Sequence, residues 1–209
     1  MGEPSHLLQP DVLELVPKAL AETGLIAIPQ AVHESWWRAF AAECRESFEQ
    51  GAFRHARVGR GPGSSVRPEI RGDWVSWIDP CSPTELQREY LDAMEDLRCA
   101  INGALFCGIF AYEGHLARYP AGTGYKRHLD RFRDAYHRLV TCILYLNEDW
   151  QESDGGALRI WIDPDDPTKV EDILPCGGTL VVFLSDRFWH EVRPALRNRL
   201  SVTGWFTSR

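Results

Sequence analysis

Past residue 138 this chain breaks into short apolar runs set between turn-rich stretches: LVTCILYL (139–146), LRIWI (158–162), TLVVFL (179–184) and RLSVTGWF (199–206). Runs of this length, rich in β-branched and aromatic residues, read as strands, and several in succession read as an all-β sandwich or barrel. The first half has a different period. Pro10 to Thr23 carries Leu13, Val16 and Leu20 at helical spacing, with Gly24 as its stop. LIAIP is a short strand, and His33 to Gln50 is an amphipathic helix with Trp36, Phe40, Cys44 and Phe48 on one side. Ser82-Pro83-Thr84-Glu85 reads as a capping box with Pro at the first helical position. The helix it opens turns Leu86, Tyr90, Met94, Leu97 and Ile101 inward. Helices first and strands later predict an α+β fold, a barrel buttressed on one side by helices of the N-terminal half. The expected organisation is one domain over 1–209, with helical and strand support across about 1–110 and the barrel core across about 70–209.

A chain of 209 residues can bury a sizeable core without staples, and a net charge of −7 argues against a broad nucleic-acid-binding face. Six scattered cysteines with no Cys-x-x-Cys pair fit buried reduced thiols better than a disulfide framework. No signal-peptide pattern opens the chain, and no run of ~18 apolar residues is present. A cytoplasmic protein with no membrane or nucleic-acid partner is the expectation. The segment 51–68, GAFRHARVGRGPGSSVRP, is rich in Gly and Arg and weak in periodicity, so it reads as a mobile surface loop. It is no phosphate loop, because no Gly-Lys-Ser/Thr follows its glycines.

The chemistry concentrates in YKRHLDRF. In an extended chain side chains alternate, so His128 and Asp130 point the same way and can share one metal. His190, in SDRFWHEV just past the strand TLVVFL, supplies a third ligand. Two imidazoles and a carboxylate on one face of iron leave positions open for substrate and O2. The His-x-Asp pair alone is weak evidence, since a chain of this composition holds about half such a pair by chance. An exposed loop with a charge pair is the plainer reading of that feature by itself.

The last strand adds weight. In RLSVTGWF, Arg199, Ser201, Thr203 and Trp205 fall on one face, and Leu200, Val202 and Gly204 on the other. A guanidinium and two hydroxyls are an odd filling for a barrel, and a planar guanidinium grips a carboxylate bidentately. An acid that chelates the metal at one end and meets Arg199 at the other accounts for both features; a structural salt bridge is the alternative for Arg199. Tyr145 shares a face with Thr141 and Ile143, so its phenol could reach the same acid or simply sit satisfied in the core.

HLARYPAGTGYKRHLD, RLVTCILYLNEDW, GGALRIW, SDRFWHEVRPA and RLSVTGWF, with IRGDWVSWID upstream, resemble the 2-oxoglutarate- and Fe(II)-dependent prolyl hydroxylases. Within that family the likeness is to the oxygen-sensing branch that modifies hypoxia-inducible transcription factors. It runs from about Ile70 to the C-terminus. The resemblance implies a double-stranded β-helix (jelly-roll) core, iron at His128, Asp130 and His190, and O2 as oxidant, with ascorbate as a stimulant. It places the distal carboxylate of 2-oxoglutarate on Arg199 and Tyr145, with Thr203, Leu158, Ile143 and Tyr119 around it. On the substrate side it sets Tyr125, Trp205 and the pair Arg71 and Asp73 near the entrance. Arg54, Arg57 and Arg60 fall in a loop that closes over the peptide. The implied reaction is hydroxylation of a prolyl residue, at ring carbon 4, in a protein substrate such as a transcription factor or a translation component, releasing succinate and CO2. Two departures stand out: the tyrosine-to-His128 segment is one residue short, and Phe188-Trp189 replace smaller polar residues before His190. Both are expected on the substrate side.

Two other readings stay open at this stage. The same chemistry could act on a small molecule such as free proline, or the barrel could be a non-catalytic metal-binding sensor. His6, His33, His55, His115 and His137 have no partner spacing that marks them as ligands.

Overall fold

The computed structural model describes residues 7–59, 64–131 and 137–209. Among these residues the helices are α1 (Val12–Glu22), α2 (Glu34–Glu49) and α3 (Glu85–Leu105). The strands are β1 (Leu25–Ile28), β2 (Arg54–His55), β3 (Trp74–Trp77), β4 (Ala111–Tyr119), β5 (Tyr125–His128), β6 (Arg138–Tyr145), β7 (Leu158–Trp161), β8 (Val170–Ile173), β9 (Leu180–Leu184), β10 (His190–Val192) and β11 (Arg199–Thr207). They form an antiparallel seven-stranded sheet, β1-β9-β6-β11-β4-β3-β2, and a four-stranded sheet, β5-β10-β7-β8. This is the jelly-roll arrangement expected, with the helices confined to one side.

Strand alternation decides what each face buries. On β6, Cys142 and Leu144 join the helix-side core, while Ile143 and Tyr145 join the cluster between the sheets. On β9, Leu180 and Val182 face the helices, and Val181 and Phe183 face inward. The helix-side core is closed by Val16 and Leu20 of α1, Phe40 and Cys44 of α2, and Tyr90, Met94, Leu97 and Ile101 of α3, all buried. One wall of the inner space is therefore backed by three helices.

Three expectations need correction. The capping box is Thr84 with Gln87, not Ser82 with Glu85. Thr84 is extended, its hydroxyl accepts from the Gln87 N–H at 3.2 Å, and the helix begins at Glu85. Pro83 therefore lies outside the helix. The segment 51–68 is not all loop: Arg54 and His55 pair with Val75 and Trp74, and Val58 exchanges backbone hydrogen bonds with Ser65. Its weak periodicity hid a two-residue edge strand. Finally, β5 ends at His128, so Asp130 lies beyond the strand and alternation does not explain its direction.

Candidate metal and co-substrate site

His128, Asp130 and His190 come together, each offering a ligand atom within 4.8 Å of the others. The two histidines are brought face to face by strand pairing, since His190 of β10 is the register partner of His128 of β5. Their rings sit 4.2 Å apart. Each ring is held by a carbonyl two residues earlier, His128 Nδ1 at 2.7 Å from the Lys126 oxygen and His190 Nδ1 at 3.0 Å from the Phe188 oxygen. That leaves both Nε2 atoms facing Asp130, at 3.7 and 3.5 Å from its carboxylate oxygens. An imidazole oriented through its other nitrogen is the usual arrangement of a metal ligand.

Asp130 is aimed by a different device. Thr141 of β6 donates to its Oδ2 at 2.8 Å, and Thr141 is itself 2.9 Å from the Ser185 hydroxyl. Burial alone would raise the Asp130 pKa, but His190 and His128 beside it, together with Thr141 and the nearby Trp205 indole N–H, hold it below the usual carboxylate range. The Trp205 indole N–H closes no hydrogen bond of standard geometry. Burial, then the neighbouring His190, pushes His128 well below the normal imidazole value. A neutral imidazole and an ionised carboxylate are the protonation states that bind a divalent cation.

Across a cavity of about 120 Å3 stands Arg199, 1% exposed. Its Nε donates to the Gly156 oxygen at 3.0 Å, and no carboxylate among the described residues pairs with it. The guanidinium carbon lies 5.2 Å from the Tyr119 ring centre and 4.9 Å from that of Tyr145. The Tyr145 hydroxyl is buried, forms no hydrogen bond of standard geometry, and is pushed up to about 12 by burial, so it is a free donor. A buried cation without a counter-charge is costly unless an anion arrives to meet it. The volume falls below the roughly 300–1,000 Å3 of a site for a drug-sized ligand. A small dicarboxylate that reaches the metal with its other end fits both the space and the donors, and the two-imidazole, one-carboxylate set fits Fe(II).

Arg199, Thr203, Leu158, Ile143 and Tyr119 line this cavity, as do Tyr125, Trp205 and Arg71. Tyr145 is not among the lining residues; its ring centre lies 4.9 Å from the Arg199 guanidinium carbon, and its hydroxyl is unpaired. Asp73 is fully buried and grips Arg71 through two hydrogen bonds of 2.8 and 3.0 Å, so it acts through Arg71 and not at the entrance. Arg54 and Arg57 do not reach the metal; they line an adjoining groove of about 510 Å3. Arg60 lies outside the described residues. Phe188 is not on the substrate side. It is 3% exposed, packs against Phe183, and lends its carbonyl to His190. Larger clefts near Trp37 and Trp150 gather no group of metal ligands among the described residues.

Sequence reasoning missed Thr141 and Ser185 as the anchor of Asp130. It also missed Arg138, which lies 3.4 Å over the Trp205 ring and pairs with Glu113. It set aside His115, which lines the cavity. The one available signal for Thr141 was its shared strand face with Tyr145.

A two-histidine, one-aspartate cluster facing a buried arginine inside a jelly roll defines a 2-oxoglutarate-dependent iron oxygenase, and residues 114–207 match the model of the 2OG-Fe(II) oxygenase superfamily. A crystal structure of a Pseudomonas putida prolyl-4-hydroxylase superposes with a TM-score of 0.84 at 44% identity, covering 94% of this chain and 99% of that one. A Trichoplax adhaerens prolyl hydroxylase, solved with a peptide fragment of a hypoxia-inducible-factor oxygen degradation domain, superposes with a TM-score of 0.84 at 29% identity, covering 94% and 89%. Human Egl nine homolog 1 is 33% identical over 202 residues, 93% of this chain and 46% of that protein. This chain therefore belongs to the 2-oxoglutarate/Fe(II)-dependent prolyl hydroxylase family, whose cofactors are Fe(II), 2-oxoglutarate and O2. It spans about half the length of the first curated relatives it matches. No helix among the described residues is long and apolar enough to cross a membrane.

Proposed function

We infer that residues 1–209 act as one oxygenase domain that hydroxylates a prolyl residue, at ring carbon 4, in a protein substrate. The observation that carries this reading is Arg199, a buried guanidinium with no protein carboxylate, set across a small cavity from three convergent metal ligands. When bound, Fe(II) with 2-oxoglutarate and O2 supplies the oxidising power that turns a C–H into C–OH, releasing succinate and CO2.

The chain's own residues position and exclude. His128, Asp130 and His190 would hold the metal, their ligand atoms lying within 4.8 Å of one another. Arg199 would take the distal carboxylate of 2-oxoglutarate in a fork, and the protonated Tyr145 hydroxyl would donate to the same group. Ile143, Leu158 and Thr203 wall off water, and Tyr119 stacks on Arg199. Tyr125, stacked 3.6 Å from His128, and Trp205 flank the space the target ring enters. Arg71 is fixed by Asp73 at the same opening.

A protein substrate is favoured over free proline by the groove of about 510 Å3 that adjoins the cavity, lined by Arg54, Arg57 and Trp77. A transcription factor or a translation component bearing an exposed proline fits it. Six unpaired cysteines suit a reducing, cytoplasmic setting. The test is incubation of the iron-loaded enzyme with 2-oxoglutarate and either lysate proteins or free proline. Succinate formation with one added oxygen on a prolyl residue is expected; oxidation of free proline alone, or no succinate at all, overturns the reading.

A further inference from the structure

Tyr125 and His128 both line the metal-side cavity, although they stand three residues apart on β5. In a regular strand that spacing sends two side chains to opposite faces. A bulge resolves the conflict. His128 pairs with His190 and Tyr125 with Val192, so Lys126 and Arg127 together oppose Glu191 alone. The extra residue turns both rings inward, where they stack with centres 3.6 Å apart, and it sets the Lys126 carbonyl against His128 Nδ1 at 2.7 Å. A bulge re-aims side chains but interrupts the ladder, so the geometry just before this metal ligand needs support from elsewhere.

That support lies on the outer face. Arg127 is exposed, and its guanidinium carbon sits 4.3 Å from the Trp161 ring centre and 5.2 Å from that of Trp189. Trp189 immediately precedes His190, and it does not line the cavity, contrary to the substrate-side placement expected from the sequence. Trp161 follows Ile160, the register partner of His190 on β7, and its N–H donates to the Trp189 carbonyl at 2.9 Å. The three side chains thus join β5, β10 and β7 on the outside, each one residue away from His128, His190 or Ile160 on the inside. A cation is attracted to an indole face more than to any other ring, and a small polar side chain in place of Trp189 would offer it no face at all.

We propose that Arg127 is a positioning residue: its stack with Trp161 and Trp189 holds the β5 bulge in place, and with it the approach of His128 to His190. The proposal rests on the assignment of these two histidines as metal ligands. A metal that needs both imidazoles binds only the bulged arrangement, so releasing the stack lowers its affinity through the population of that arrangement.

The test is titration of the metal-free protein with Co(II), whose visible bands report the geometry of its ligands, alongside the melting temperature. Arg127→Ala is expected to weaken Co(II) binding about tenfold, the scale of a cation held between two rings, and to alter the bands. Arg127→Lys keeps a cation over the rings and should recover part of that loss. Trp189→Phe keeps an aromatic face and should bind Co(II) more tightly than Trp189→Ser. Arg159→Ala is the control: it removes the doubly hydrogen-bonded pair with Asp172 between β7 and β8, leaves Arg127 and its two rings intact, and should lower the melting temperature without moving the Co(II) affinity. Unchanged affinity and bands in Arg127→Ala, an equal loss in Arg127→Ala and Arg159→Ala, or a Trp189→Phe no better than Trp189→Ser overturns the proposal. His128→Ala in the same titration keeps the two assignments apart. Co(II) bound as in the wild type would remove the ligand reading and this one with it, whereas a loss in His128→Ala with none in Arg127→Ala removes the positioning role alone. If Trp189→Ser does not fold, the variants of the exposed Arg127 still carry the comparison.

Discussion

Thr141 reaches from the middle of the large sheet to Asp130, donating to its Oδ2 at 2.8 Å. Asp130 lies beyond the end of β5 in the small sheet, so this hydrogen bond ties the carboxylate ligand to the opposite wall. Thr141→Val keeps the shape and removes the hydroxyl. The expected result is metal binding weakened about 10–100-fold, the usual effect of losing a group that orients a ligand, read by Fe(II) titration with the fold checked by circular dichroism. Unaltered metal affinity would show that Asp130 is aimed without Thr141.

His128→Ala and Asp130→Ala remove ligands from a set of three whose donor atoms lie within 4.8 Å. Both variants should lose stoichiometric iron and succinate formation. Retained turnover in either would sink the ligand assignment.

Arg199→Lys keeps the charge and loses the fork. A hydrogen bond to a charged group is worth about 1.5–3 kcal/mol, so the 2-oxoglutarate KM should rise roughly tenfold or more. An unchanged KM would mean that another residue holds the distal carboxylate.

Arg54 and Arg57 are exposed, line the groove, and donate to backbone and Ser64 atoms without a carboxylate partner among the described residues. The double change to Gln should raise the KM for a protein substrate several-fold, by about 1 kcal/mol or less per exposed charge. Succinate formation without substrate should change less. Equal effects on both would argue against a substrate role.

His115 and His128 are held neutral by burial, with pKa values below that of an unfolded histidine. Below pH ~6.5 the unfolded chain takes up protons that the folded chain refuses, so stability of the metal-free protein falls as pH falls. The cost grows by about 1.4 kcal/mol per pH unit for each such group. The melting temperature of metal-free protein should therefore drop between pH 7.5 and 5.5, and drop less in His115→Asn. An equal drop in both would show that His115 is not held neutral in the fold.

How much of this was legible in the chain follows from what is local. The face shared by Arg199, Ser201, Thr203 and Trp205 is set by the two-residue repeat of any strand, and the structure keeps it, with Leu200, Val202 and Phe206 on the helix side. The helical faces of α1 and α3 were readable for the same reason. The capping box was displaced because Ser82 and Thr84 both offer a hydroxyl, and only backbone geometry chooses between them. The edge strand at Arg54–His55 was invisible because its pairing with β3 is not written in its own composition.

Which residues share a face was thus decided by the sequence alone, since alternation needs no distant partner. Which faces meet was decided only by the tertiary structure, because register and sheet stacking join segments far apart in the chain. The pairing of β5 with β10 sets His128 against His190, β6 lends Thr141 to Asp130, and β3 and β11 set Trp77 and Thr203 on either side of His115.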